Sequence, residues 1–99
     1  LTKKSLMKYP ITIEPGNDKY AFGVVVPDLP GCFSAGDTMN EAIVNAREAI
    51  TLWLETVIED SGTMPEPKTI TTHQDNHDYI GWAWETVTID LTQLSDKAR

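Results

Sequence analysis

Few residues in this chain are of types that do covalent or metal chemistry. Cys32 is its single cysteine, and His73 and His77 are its two histidines. A cysteine nucleophile needs a base beside it, and nothing in the chain order brings either histidine to Cys32. The histidines stand at i and i+4, and Asp75 and Asp78 could add oxygen ligands, yet no cysteine pair and no helical pattern supports a metal there. Asp28, Asp37 and Asp90 are the carboxylates that a metal-dependent nuclease would have to gather around a divalent cation. None sits in a motif that demands it: Asp28 follows Pro27 in a turn, and Asp37 precedes a helix cap, places where aspartate is used anyway. No glycine-rich phosphate loop is present. The reading is therefore non-enzymatic, with no metal and no cofactor. Cys32 is expected to be a small buried side chain, and residues 68–78 an exposed polar loop.

The elements that position these residues follow from periodicity. Tyr9, Ile11 and Ile13 alternate with Pro10, Thr12 and Glu14, the pattern of a strand with one buried face. Pro10 has no N–H, which places that strand at an edge or starts it there. Turn residues at 15–19 lead into a second run, where Tyr20, Phe22, Val24 and Val26 share a face, so the two form a β-hairpin. In Leu29-Pro30-Gly31-Cys32 the proline fixes φ and the glycine can take the positive φ that a type II turn requires. The chain then reverses into a short third strand over 32–35.

At Thr38 the period changes. Thr38-Met39-Asn40-Glu41 has capping-box spacing, and Ala42, Ile43, Ala46, Ala49, Ile50, Trp53, Leu54, Val57 and Ile58 form one broad apolar helical face. The alanines allow close approach to a sheet. Asp60-Ser61-Gly62 and the prolines of Met64-Pro65-Glu66-Pro67 end the helix. Residues 79–90 read as one long strand rich in aromatic and β-branched side chains. Ile80, Trp82, Trp84, Thr86 and Thr88 fall on one face of it, and Gly81, Ala83, Glu85, Val87 and Ile89 on the other. The order β-β-β-α-β predicts an α+β domain with one long helix across a small sheet.

Composition narrows the function. A chain of 99 residues with 40% hydrophobic and 23% charged content suits one globular domain, and no apolar run is long enough to span a membrane. The unpaired cysteine favours a reducing, cytoplasmic setting. A formal net charge of −7 repels nucleic acid and favours basic partners. The acidic residues crowd between Asp37 and Glu66, where Arg47 is the one opposing charge. With three tryptophans and three tyrosines, the chain carries more aromatic anchors than its core requires, and such residues are favoured at interfaces. Trp53 is assigned to the core. Asp28, Leu29, Phe33, Trp82, Trp84 and Glu85 are the predicted partner-contacting residues, drawn from a turn and a strand that could present side chains together. Charge reversal at Asp28 would then weaken binding.

These motifs, "YPITIE", "PDLPGCFSAGDTMNEAIVNAREAI", "MPEP" and "VTIDLTQLSDKA", resemble the HicB antitoxins of bacterial type II toxin–antitoxin systems from about Tyr9 to Leu94. The resemblance implies a degenerate, partial RNase H-like domain. It implies binding and neutralisation of HicA, a small basic mRNA-cleaving ribonuclease, by occlusion of its active site. Complete family members usually continue into a DNA-binding segment that regulates their own operon. This chain lacks one, so it is not expected to bind DNA alone. The expected layout is residues 1–6 as vector-derived or upstream sequence, 7–92 as the antitoxin domain and 93–99 as the start of a linker. A homodimer through a sheet edge or the aromatic sheet face is also expected. Two other readings stay open, a residual metal-dependent nuclease using Asp28, Asp37 or Asp90, and a stand-alone oligomerisation or sensing domain.

Overall fold

The computed structural model describes residues 6–17 and 21–98, the side chains of 95–98 excepted. Strands β1 (Leu6–Glu14), β2 (Phe22–Val25), β3 (Phe33–Gly36) and β4 (Ala83–Asp90) form one antiparallel sheet in the order β3-β2-β1-β4. β1 is thus central, although Pro10 argued for an edge. The reason is local: β2 pairs only with Thr12, Ile13 and Glu14, while β4 pairs from Leu6 through Ile13. Around Pro10 the strand has a hydrogen-bonded neighbour on one side only, which is what a strand proline needs.

Register sorts the side chains into two faces. Ala83, Ile13, Val24 and Ser34 lie in one row across the sheet, and Trp84, Thr12, Val25 and Phe33 in the next. Because alternate residues point to opposite faces, the first row meets the long helix and the second faces away. Tyr9, Ile11, Ile13, Val24 and Val87 on the helix side are essentially inaccessible to solvent.

Helix α1 (Met39–Glu59) begins where the local signals place it. The Thr38 hydroxyl accepts the Glu41 N–H at 3.0 Å, and the Glu41 carboxylate reaches back to the Asp37 N–H at 2.8 Å. That second bond lands one residue before the cap itself. Ala42, Ala46, Ile50 and Leu54 are buried on the sheet. Gly36 completes the close approach, because a Cβ at that position would collide with the Ala42 backbone. Ser34 Oγ donates to the Ala42 carbonyl at 3.3 Å, and Asn45 Nδ2 to Ala35 at 2.8 Å. Edge strand β3 is thereby tied to the helix rather than left free.

The helix ends in a Schellman arrangement: Ser61 N–H bonds the Ile58 carbonyl at 3.0 Å and Gly62 N–H the Val57 carbonyl at 2.8 Å. The left-handed position is taken by Ser61, at φ 59°, rather than by the adjacent glycine. The Pro30-Gly31 turn forms as its residues dictate, with Gly31 at φ 81° and Cys32 N–H on the Leu29 carbonyl at 3.0 Å.

Two expectations need correction. Residues 79–90 are not one strand: a 3₁₀ turn (His77–Tyr79) and Gly81 at φ 84° bring the chain round before β4 starts at Ala83. The polar loop contains a short helix α2 (Ile70–Gln74), capped by the Thr69 hydroxyl. At the two ends of the described chain, Leu6 pairs with Asp90, and Leu94, in helix α3 (Leu91–Ala98), is only 1% exposed. Tyr20, assigned to the second strand's buried face, lies outside the described residues. Among those residues no helix is long and apolar enough to cross a membrane.

Candidate interaction surfaces

Two clusters of aromatic and apolar side chains reach the surface, and they differ in how far they are already satisfied. The first is organised by Asp28. Its carboxylate accepts the Lys68 N–H through both oxygens at 3.2 Å and lies 3.0 Å from His73 Nε2, with only 3% of the side chain exposed. His73 in turn stacks on Trp84, the ring centroids 6.3 Å apart and the planes within 6°. Tyr79 packs edge-on against Trp84 at 5.8 Å and tilted against Trp82 at 5.3 Å. Beneath this, the Tyr9 hydroxyl donates to the Pro65 carbonyl at 2.6 Å. Burial pushes the Tyr9 phenol up to about 12, helped by the negative charges of Asp28 and Glu66. The segment after α1 is therefore fastened to the sheet at Tyr9 and Asp28, and its aromatic rings are stacked on one another.

The second cluster flanks β3. A groove of about 310 Å³ runs between β3 and α1, lined by Cys32, Phe33, Ala49, Leu52, Trp53 and Thr56. Phe33 and Leu52 are each 64% exposed. The polar atoms in this wall already have partners: Trp53 Nε1 donates to the Pro30 carbonyl at 3.0 Å and Thr56 Oγ1 to the Leu52 carbonyl at 3.0 Å. Cys32 is 3% exposed, and burial raises its thiol pKa, the opposite of what activates a nucleophile. What the groove offers a partner is apolar surface.

The predicted contact residues scatter accordingly. Leu29 is fully buried, because the turn closed by the Leu29 N–H on Val26 folds the side chain into the core. Asp28 is likewise enclosed and holds the chain to itself, so neither is a surface group. By register Phe33 and Trp84 fall in the row facing away from α1, on opposite edge strands, and Phe33, at the open edge of the sheet, also borders the groove, while Trp82 lies in the turn before β4. Glu85 is exposed on β4, in register with Ile11 and so on the opposite face from Trp84. Trp53, assigned to the core, packs on it from one side and lines the groove with the other. Leu52 was missed. Its signal was available: Val44 and Leu52 are apolar positions outside the helix's buried stripe, and both are exposed.

The residues considered for chemistry are engaged locally. Asp37 offers its N–H to Glu41, Asp90 accepts from Thr92 at the start of α3, and Asp28 holds His73. No group of three or more His, Cys, Asp or Glu among the described residues converges so as to hold a metal ion.

Comparison with known proteins decides the family. Residues 9–99 match the model of the HicB-like antitoxins of bacterial toxin–antitoxin systems. The chain belongs to the HicB-like antitoxin family. It is 46% identical over 92 residues to an uncharacterised 14.9 kDa protein of Haemophilus phage HP1, covering 93% of this chain and 68% of that protein. The antitoxin HicB of Burkholderia pseudomallei superposes with a TM-score of 0.83 at 37% identity, over 94% of this chain and 70% of the other. A chain of the HicA3–HicB3 toxin–antitoxin complex superposes with a TM-score of 0.66 at 30% identity, over 82% of this chain and 95% of that one. The four-stranded antiparallel sheet with one long helix is thus the HicB architecture, and the phage and Burkholderia proteins both extend beyond the region matched here.

Proposed function

We propose that this chain is the toxin-neutralising part of a HicA–HicB pair, binding a small basic ribonuclease and covering its active site. One observation carries the reading: a HicB-family fold whose long helix is studded with Glu41, Glu48, Glu55 and Glu59 against a single arginine. An acidic face of this kind accelerates encounter with a basic partner and disfavours nucleic acid. The likeness to a chain from a HicA–HicB complex agrees with it. The Asp28 and Asp90 carboxylates are held in separate local bonds, and among the described residues neither is gathered with Asp37 into a metal-binding group, which favours the binding reading over the enzymatic one.

Several finer points belong to the same reading. The core is described as a degenerate RNase H-like domain, supported by element order. The setting is the cytoplasm, supported by an unpaired cysteine. Regulation of the operon would require a DNA-binding segment in addition to the antitoxin domain. A homodimer would use a sheet edge or the aromatic sheet face, and sedimentation of the isolated chain checks it. The decisive experiment incubates the chain with the toxin encoded beside its gene and follows RNA cleavage. Suppression at equimolar chain is the expected result; undiminished cleavage at excess, with no complex on gel filtration, would overturn the reading.

A further inference from the structure

Helical geometry, about 100° per residue, puts Glu41, Glu48, Glu55 and Glu59 in one narrow stripe on the outside of α1. Leu52 stands beside that stripe as a ridge, and the groove lined by Phe33, Ala49, Trp53 and Thr56 lies on the ridge's other flank. We infer that the β3–α1 groove receives an apolar side chain of the basic toxin, with lysine or arginine residues next to that side chain meeting the glutamate stripe. The inference rests on the antitoxin reading and adds to it where the toxin sits.

Three features of the structure support this occupant. The groove's volume, about 310 Å³, accommodates one or two large side chains. Its indole is fixed by the Pro30 carbonyl and its hydroxyl is internally bonded, so an apolar group can enter without orphaning a donor. Glu48 and Glu59 are exposed and form no ion pair among the described residues. A second copy of this chain would bring the same acidic stripe into contact with itself, and an anionic membrane surface would be repelled. A basic protein segment with an apolar knob meets both halves of the surface.

The test uses the full chain and the toxin encoded beside its gene, with binding followed by surface kinetics and the fold checked by thermal melting. Phe33→Ser and Leu52→Lys, both at exposed positions, are expected to weaken binding roughly tenfold or more, chiefly through faster dissociation. Glu48→Lys combined with Glu59→Lys should slow association and flatten its salt dependence. Ile80, which follows Tyr79 of the other cluster in the chain, is 73% exposed, and Ile80→Ser is expected to leave affinity within about twofold. Wild-type binding with unchanged affinity in both groove variants would overturn the groove and leave the antitoxin reading intact. Loss of affinity in Ile80→Ser alone would move the site to the aromatic cluster. Conversion of a dimer to a monomer by Leu52→Lys, with toxin binding retained, would assign the groove to self-association. Absence of wild-type binding would overturn both.

Discussion

The aromatic cluster around Trp84 and the groove beside Phe33 are at opposite edges of one sheet, and the sequence pointed to both, through Trp82 and Trp84 at the first and Phe33 alone at the second. Trp82, Trp84 and Tyr79 are conspicuous by type, yet their rings are occupied with one another and with His73. Phe33 and Leu52 are ordinary by type but are left two-thirds exposed beside a helix that carries the chain's acidic stripe. Residue type measures how much contact energy a side chain could contribute; the geometry decides whether that contact has already been made inside the chain. The two regions are also held by different devices, close backbone packing at the groove and a buried carboxylate at the cluster, so each can be broken without the other.

The largest effect is expected at Gly36. A Cβ there meets the backbone of Ala42 and Glu41 rather than a side chain that could rotate away. Gly36→Ala should push α1 off β3 and cost about 3 kcal/mol of stability, measured by chemical denaturation. The groove would be lost with it. A variant as stable as the wild type would mean that β3 and α1 are not in such close contact, and the groove would have to be redrawn.

Asp28→Ala is the matching break in the cluster. It leaves the Lys68 N–H and His73 without their shared acceptor, at a cost of about 2 to 3 kcal/mol. Near-ultraviolet dichroism should report the loosened Trp84 and Tyr79 rings, while the groove stays formed. The charge-reversed Asp28→Lys, conceived as a probe of a surface charge, instead tests this enclosed clasp. Weakened partner binding there would follow from unfolding of the segment rather than from a lost contact.

Tyr9 sharpens the comparison through pH. Its phenol is raised to about 12 in the folded chain against an ordinary value near 10. The folded state therefore holds the proton more tightly than the unfolded one. Stability from this group is fully present below pH 10 and falls as pH rises toward and through 12. Tyr9→Phe should cost about 1 kcal/mol at neutral pH through the lost bond to Pro65, and should flatten the alkaline decline. An undiminished decline in that variant would place its origin elsewhere. Because Tyr9 anchors the segment leading to the cluster, the alkaline loss should appear in the Trp84 signal first.

What the sequence revealed, and what it hid, divides by range. The Thr38 cap, the Pro30-Gly31 turn and the apolar stripe of α1 were legible because each is settled within a few residues. The start of β4 was not, because Trp82 continues the strand's alternation on paper while Gly81 takes a positive φ and Trp82 N–H closes a turn on Tyr79. Nor was the burial of Asp28 and Leu29. Turn residues are ordinarily exposed, and only the return of residues 68–73 over that turn encloses the carboxylate. The groove was hidden for the same reason: Phe33 becomes a neighbour of Leu52 only when an edge strand is laid along the helix.

The smallest expected effect is a gain, and it lies at the end of the groove's helix. Ser61 occupies the left-handed position of the helix stop at φ 59°, a conformation that costs a residue with a Cβ more than it costs glycine. Ser61→Gly should stabilise the chain by about 0.5 to 1 kcal/mol once glycine's greater unfolded entropy is offset. The last turn of α1 carries Thr56 and Glu59 past the groove, so firmer closure there should slow amide exchange over those residues without altering the Trp84 cluster. Faster exchange in the variant would show that the Ser61 conformation is held by something other than the Schellman bonds to Ile58 and Val57. Equal slowing in both regions would show that groove and cluster open together, and the independence drawn from Gly36 and Asp28 would fail.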